Sequence, residues 1–168
     1  LNIPQFEEKR FKVQKGKEIH LKKENENKTY LRKKLGAIDK KINVDLYSQK
    51  YKIKGIVDEV LTLNDNTMAP LDYKFAKFDE VLYKTYKEQM LMYALMIEEM
   101  YDCKVKKCFL VYTRSSNLVK EFDVKEKDIS KLKKSIKEYF KVMEGFFPKA
   151  TTSKSRCIDC CYKNICIK

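Results

Sequence analysis

Apolar residues alternate with polar ones between residues 35 and 76, and recur every three or four positions along 80–101 and 125–147. A period of two marks half-buried strands, and a period near 3.6 marks amphipathic helices. Ile38, Ile42 and Val44 mark a first strand, Tyr51 to Leu63 a second, and Met68 to Ala76 a third, with Asn64-Asp65-Asn66 turning between the last two. Adjacent strands joined by short turns predict an antiparallel meander. The strongest helix is expected over 80–101, where Val81, Leu82, Tyr86, Met90, Tyr93, Ala94 and Ile97 form a core stripe. Two short strands follow, Lys107 to Thr113 and Leu118 to Val124, then a second amphipathic helix over 125–147 closed by Gly145 and Pro148. Residues 4–34 are polar, with Phe6, Phe11, Ile19 and Leu31 scattered among Lys and Glu; they predict one or two helices with a turn near Asn25-Glu26-Asn27. The order α, three β, α, β, β, α predicts an α/β fold with a mixed central sheet flanked by helices. A Lys/Ser/Thr linker at 149–156 leads into a Cys-rich tail.

At 168 residues the chain suits one domain with a real core, and 43% hydrophobic against 36% charged residues exclude a disordered chain. No apolar run approaches the roughly 18 residues that span a bilayer. The richest stretch, Met90 to Met100, carries Glu98 and Glu99 near its end, and no signal-peptide pattern opens the sequence. The expectation is a cytoplasmic protein with no membrane partner. The 37 basic and 24 acidic residues leave a charge of +13. Such an excess favours a polyanion, because neutralised phosphates release condensed counterions. Lys dominates over Arg, so charge alone leaves a Lys-rich solvated surface level with a nucleic-acid partner. Eleven Tyr and nine Phe tilt this slightly towards nucleic acid, since aromatic faces stack unpaired bases.

Candidate chemistry sits in the meander and the helix after it. Asp72 and Lys74 are alternate residues of one strand and project from the same face. Asp58 lies on the preceding strand, which a short turn sets alongside. Two carboxylates facing one another from neighbouring strands repel unless a cation lies between them. Oxygen ligands of this kind suit Mg²⁺ or Mn²⁺. Lys74 is placed to orient a water or stabilise developing charge. Gln89 and Tyr93 stand four apart on the helix and point together towards the same cleft.

In chain order these segments read Gly55-Ile56-Val57-Asp58, Asp72-Tyr73-Lys74, and Gln89 through Tyr93, that is G-x-x-D, D-x-K and Q-x-x-x-Y. The set resembles the RecB-like nucleases of the PD-(D/E)xK superfamily. That family also carries a His in a Gly-x-x-x-His segment before the sheet, which Gly16-Lys17-Glu18-Ile19-His20 matches; His20 is the only His of the chain. The resemblance implies a restriction-endonuclease-like sheet and a Mg²⁺ or Mn²⁺ held by His20, Asp58, Asp72 and the Tyr73 carbonyl. It further implies a catalytic set of Asp58, Asp72, Lys74, Gln89 and Tyr93, with Gln89 and Tyr93 also facing the DNA strand being cut.

Four of the six Cys fall in the last twelve residues, and Cys157, Cys160 and Cys166 give the spacing C-x2-C-x5-C. In a reducing compartment such thiolates read as ligands for zinc or an iron–sulfur cluster. Cys103 and Cys108 flank a strand and read as buried thiols. The tail resembles that of the RecB-like CRISPR-associated exonucleases of spacer acquisition, the fourth numbered Cas family. There, three such Cys and a fourth upstream of the His hold a cluster, most simply 4Fe-4S. No Cys precedes Cys103, so the fourth ligand is not found in this chain. A sequence beginning at Leu1 rather than Met is read as trimmed, or as lacking that ligand. The resemblance implies a nuclease domain over 1–148 with an iron–sulfur tail over 149–168 packed on it. The activity implied is a DNA exonuclease acting on single-stranded ends and working with the CRISPR integrase complex. The alternatives are a RecB-like repair or recombination nuclease outside CRISPR, and a non-catalytic DNA-binding scaffold with a structural cluster.

Overall fold

The computed structural model describes residues 11–158, 160 and 166. The expected helical start at residues 4–10 and most of the Cys-rich tail lie outside these. A helix α1 (Phe11–Glu26) leads through a single 3₁₀ turn (Lys33–Leu35) into a five-stranded sheet. The strands are β1 (Ala37–Ser48), β2 (Ile53–Leu63), β3 (Met68–Lys74), β4 (Lys107–Tyr112) and β5 (Leu118–Asp123), lying side by side in chain order. The meander β1–β2–β3 is antiparallel, β3 and β4 are parallel, and β4–β5 is antiparallel. A parallel pair needs a crossover, and α2 (Lys84–Tyr101) supplies it. Then come α3 (Glu126–Met143) and the short α4 (Lys154–Ile158), which begins inside the stretch expected as linker.

The sheet is covered on both faces. On one, Met90, Tyr93, Ala94, Met96 and Ile97 of α2 pack on Leu46, Val57, Val60, Cys108, Leu110 and Tyr112. On the reverse face Leu61, Leu63, Ala69, Leu71, Tyr73, Phe109 and Val111 pack under Leu31 and Leu35. Leu91 and Leu95 of α2 face Ile129, Leu132 and Ile136 of α3 instead. The helix therefore buries two stripes, one on the sheet and one on its neighbour. The expected stripe holds from Met90 to Ile97, but Val81 precedes the helix and is exposed. Ile38 is likewise exposed, and the buried residues of β1 are Ala37, Leu46 and Ser48. Glu99, near the end of α2, accepts the backbone N–H of Gln49 at 2.9 Å and the hydroxyl of Ser48 at 2.5 Å, which pins the β1–β2 turn to the helix.

One irregularity positions the site. Ile42 pairs with Glu59 and Val44 with Val57, while Asn43 between them takes φ +50°. Directly opposed residues share a face of the sheet. Glu59 belongs to the reverse face with Tyr73, whereas Val44 and Val57 pack on the α2 side. Residues two apart should share a face. The β1–β2 ribbon therefore rolls over at Asn43 and Asp58, and its distal half folds towards α2. Asn tolerates a left-handed backbone better than other residues with a Cβ.

Candidate active site

Where the ribbon rolls, β2 parts from β3. Their pairing ends at Glu59–Leu71, and the next inward N–H of β3, that of Tyr73, donates to Asp58 Oδ2 at 2.7 Å in place of a strand partner. In a strand the N–H and C=O of one residue leave by the same edge. The Tyr73 carbonyl thus faces the fork between β2 and β3. The fork opens into a cleft of about 850 Å³ whose walls include Gly16, His20 and Leu21 of α1, Ile42 and Asn43 of β1, and Tyr86, Gln89 and Tyr93 of α2. Asp58, Asp72 and Lys74 line it as well.

His20 reaches across from α1, its Nδ1 2.7 Å from Asp58 Oδ1. That hydrogen bond outweighs burial and raises the imidazole pKa above its ordinary value. Asp58 is thus held at both oxygens, by a ring nitrogen and by a backbone N–H. Asp72 differs. It is 3% exposed, and its Oδ2 is ion-paired with Lys74 Nζ at 2.7 Å. Burial pushes its carboxyl up, the Lys74 ammonium opposes this, and Asp58 adds to it. A buried carboxylate beside a second carboxylate, with a single lysine to offset burial and repulsion, is a place for a further cation. Among the described residues no three His, Cys, Asp or Glu side chains are already gathered as a metal cage, because His20 and Lys74 hold the carboxylates in ion pairs.

Lys74 is set from three sides. Its Nζ donates to Gln89 Oε1 at 2.5 Å, lies against Asp72, and stands 4.9 Å from the centre of the Tyr86 ring. Gln89 Nε2 in turn donates to the Tyr93 hydroxyl at 2.8 Å, and that hydroxyl donates to the Ile56 carbonyl at 2.7 Å. Tyr93 is 7% exposed, and burial pushes its phenol up to about 12. It therefore spends its polar group on the protein and offers little surface to a nucleotide. Gly55 explains its own place beside this chain: a Cβ there would stand 3.1 Å from Tyr93 Cε1.

The structure thus brings His20, Asp58, Asp72, Tyr73, Lys74, Gln89 and Tyr93 to one cleft. Three further residues, absent from the sequence-based set, stand behind it. The Tyr73 side chain points to the reverse face, where its hydroxyl donates to Glu59 Oε1 at 2.6 Å and accepts from Asn27 Nδ2 at 3.0 Å and from Arg32 Nη2. A second acidic residue directly beside Asp58 in the strand, Glu59, was the available signal. Most of the Cys tail lies outside the described residues. Cys157 and Cys160 share one turn, with Cys160 N–H 3.4 Å from the Cys157 carbonyl, while Cys160 and Cys166 are exposed. No helix among the described residues is long and apolar enough to cross a membrane.

A mixed sheet carrying paired carboxylates and a lysine at a strand fork defines a metal-site nuclease fold, and the sequence profile of the PD-(D/E)XK nuclease superfamily matches residues 5–167. The chain belongs to that superfamily. It is 31% identical over 157 residues to the CRISPR-associated exonuclease Cas4 of Francisella tularensis subsp. novicida (strain U112), covering 92% of this chain and 77% of that protein. Within the superfamily it is accordingly a Cas4-like nuclease. The crystal structure of SSO0001 shares the fold, with a TM-score of 0.55 at 19% identity over 92% of this chain and 69% of that one.

Proposed function

We propose that this protein is a Mg²⁺- or Mn²⁺-dependent exonuclease that trims single-stranded DNA ends for CRISPR spacer acquisition, in company with the CRISPR integrase complex. The observation that carries the reading is Asp72, a buried carboxylate paired with Lys74, lining the same open cleft as Asp58. The residues fit a hard divalent cation: carboxylate oxygens of Asp58 and Asp72, the Tyr73 carbonyl and the His20 imidazole. Such an ion, when bound, neutralises the two carboxylates and polarises a phosphodiester. Asp58 keeps its orientation through the Tyr73 N–H. Lys74, aimed by Gln89, orients the attacking water and stabilises charge growing on the phosphate. Gln89 and Tyr93 act through Lys74 and β2, with the Gln89 edge the part nearer the strand. The charge of +13 favours the polyanionic substrate. Cys157, Cys160 and Cys166 are proposed as ligands of an iron–sulfur cluster on their spacing.

Wild-type protein, Asp72→Ala and Lys74→Ala are compared on end-labelled single-stranded and duplex DNA with Mn²⁺, with and without chelator. Wild type should shorten the single strand only with free metal. Both variants should lose cleavage while retaining DNA affinity within about twofold. Degradation by both variants would refute the site. For the tail, protein purified without oxygen should show a broad brown absorption with iron and sulfide, and a colourless zinc protein would refute the cluster.

A further inference from the structure

Behind the sheet lies a polar cluster that the proposed chemistry does not use. Glu59 is 2% exposed and Arg32 9% exposed. Arg32 grips Glu59 with Nε to Oε2 at 3.1 Å and Nη2 to Oε1 at 3.2 Å, and Lys40 Nζ stands 3.8 Å from Oε2. The Tyr73 hydroxyl completes the cluster: it donates once, to Glu59, and accepts twice, from Arg32 and Asn27. That is the full capacity of a phenol. Burial and the hydrogen bond to Glu59 push its pKa far up, so it stays a neutral donor. Lys40 also donates to the Asn27 carbonyl, just past the end of α1.

Burying such charges is costly, and apolar residues of similar volume often stabilise a fold as well or better. What the cluster provides is position. Tyr73 is bonded on both sides of the sheet, by its backbone to Asp58 in the cleft and by its ring hydroxyl to Glu59 behind. Asn27 ties the same hydroxyl to the end of the helix that carries His20. We propose that the Arg32–Glu59–Tyr73–Asn27 cluster is the positioning device of the cleft, fixing the Tyr73 backbone and the end of α1 so that Asp58 and His20 meet as ligands. The inference rests on the metal-site reading above and adds residues that touch neither metal nor DNA.

The test is Mn²⁺ binding to the full chain, measured by calorimetry and by the electron paramagnetic resonance line shape, with melting followed in parallel. Tyr73→Phe keeps the ring and the strand and removes the hydroxyl. Asn27→Ala, at a half-buried position, serves if Tyr73→Phe does not fold. Loss of an outer partner that orients a ligand weakens metal binding about tenfold or more. Either variant should show that loss and an altered line shape, and the loss should shrink when Asp58→Asn is already present, because the effect runs through Asp58. A variant that melts lower yet binds Mn²⁺ as wild type does, with an unchanged line shape, overturns the proposal: the cluster then only holds the fold. Wild type that binds no Mn²⁺ overturns the metal-site reading and this inference together.

Discussion

Asp72→Asn should stabilise the metal-free protein while abolishing its activity. The carboxyl is 3% exposed, its Oδ2 is ion-paired with Lys74, and burial raises its pKa against the pull of that ammonium. A group whose folded pKa is raised binds its proton more tightly folded than unfolded, so the ionised form opposes folding. The penalty is absent well below the ordinary carboxyl value and sets in as pH rises through the raised folded value. Asn removes it at all pH values while keeping the shape. Relief of a destabilised active-site group is typically about 0.5–2 kcal/mol. At about 3 °C per kcal/mol for a chain of this size, that is a rise of about 2–6 °C at pH 7.

Thermal melting by circular dichroism, without divalent ions, should show the two proteins converging towards pH 4 and separating at neutral pH. Mn²⁺ at a hundred times its Kd adds about 2.7 kcal/mol to wild type. The variant has lost a ligand and should gain much less, so the order of melting temperatures reverses. A variant that melts below wild type at pH 7 without metal would refute the reasoning. It would mean that Lys74, left without its carboxylate, costs more than the carboxylate does.

Gly55→Ala should melt within about 3 °C of wild type yet cleave several-fold more slowly, since a Cβ 3.1 Å from Tyr93 Cε1 displaces the residue that holds Gln89; unchanged cleavage would remove that role. Asn43→Gly should be near neutral in denaturant unfolding, whereas Asn43→Ala should cost about 1 kcal/mol, because φ is +50° there; equal effects would argue against a rolled ribbon. The raised His20 pKa gives stability that is full below about pH 6.5 and is lost as pH rises through the folded value. Its side chain is 38% exposed and partly screened, so the difference between wild type and His20→Ala, melted without metal, should stay under about 1 kcal/mol and fade as pH rises above the ordinary imidazole value.

The meander and the two long helices were legible in the sequence because each carries its period, and short turns set the order of the first three strands; that β4 lies parallel beside β3 was not so marked. Boundaries were less so. Val81 and Leu82 continue the helical period of α2, but the backbone enters the helix only at Lys84. Ile38 reads as core by alternation and is exposed, since at the edge strand of the sheet a β-branched residue can face solvent. The front of the site was legible because its residues are chemically distinctive and fall in a recognisable order: the lone His20, Asp58, Asp72, Lys74 and Gln89. Its back was not. Arg32, Lys40 and Glu59 are three charged residues in a chain that is 36% charged, and only the fold shows Arg32 and Lys40 gathering at the Glu59 carboxylate that accepts from the Tyr73 hydroxyl. Tyr93 was visible as a partner of Gln89, but its burial against Gly55 needed the ribbon to be seen rolling towards α2.

That roll links the observations. Had β2 and β3 continued their ladder past Glu59–Leu71, Val57 would lie opposite Tyr73, and the Tyr73 N–H and carbonyl would be spent on a strand partner. The roll at Asn43 and Asp58 ends the ladder one residue pair short of the site. It turns Val57 to the α2 core and leaves the Tyr73 N–H for a carboxylate and its carbonyl facing the cleft. The ladder bonds given up there are replaced by the Asp58–Tyr73 bond in front and the hydroxyl cluster behind. A sheet edge opened in this way needs both replacements. The Tyr73 hydroxyl and the Asp58 carboxylate therefore belong to one local arrangement, though they face opposite sides of the sheet.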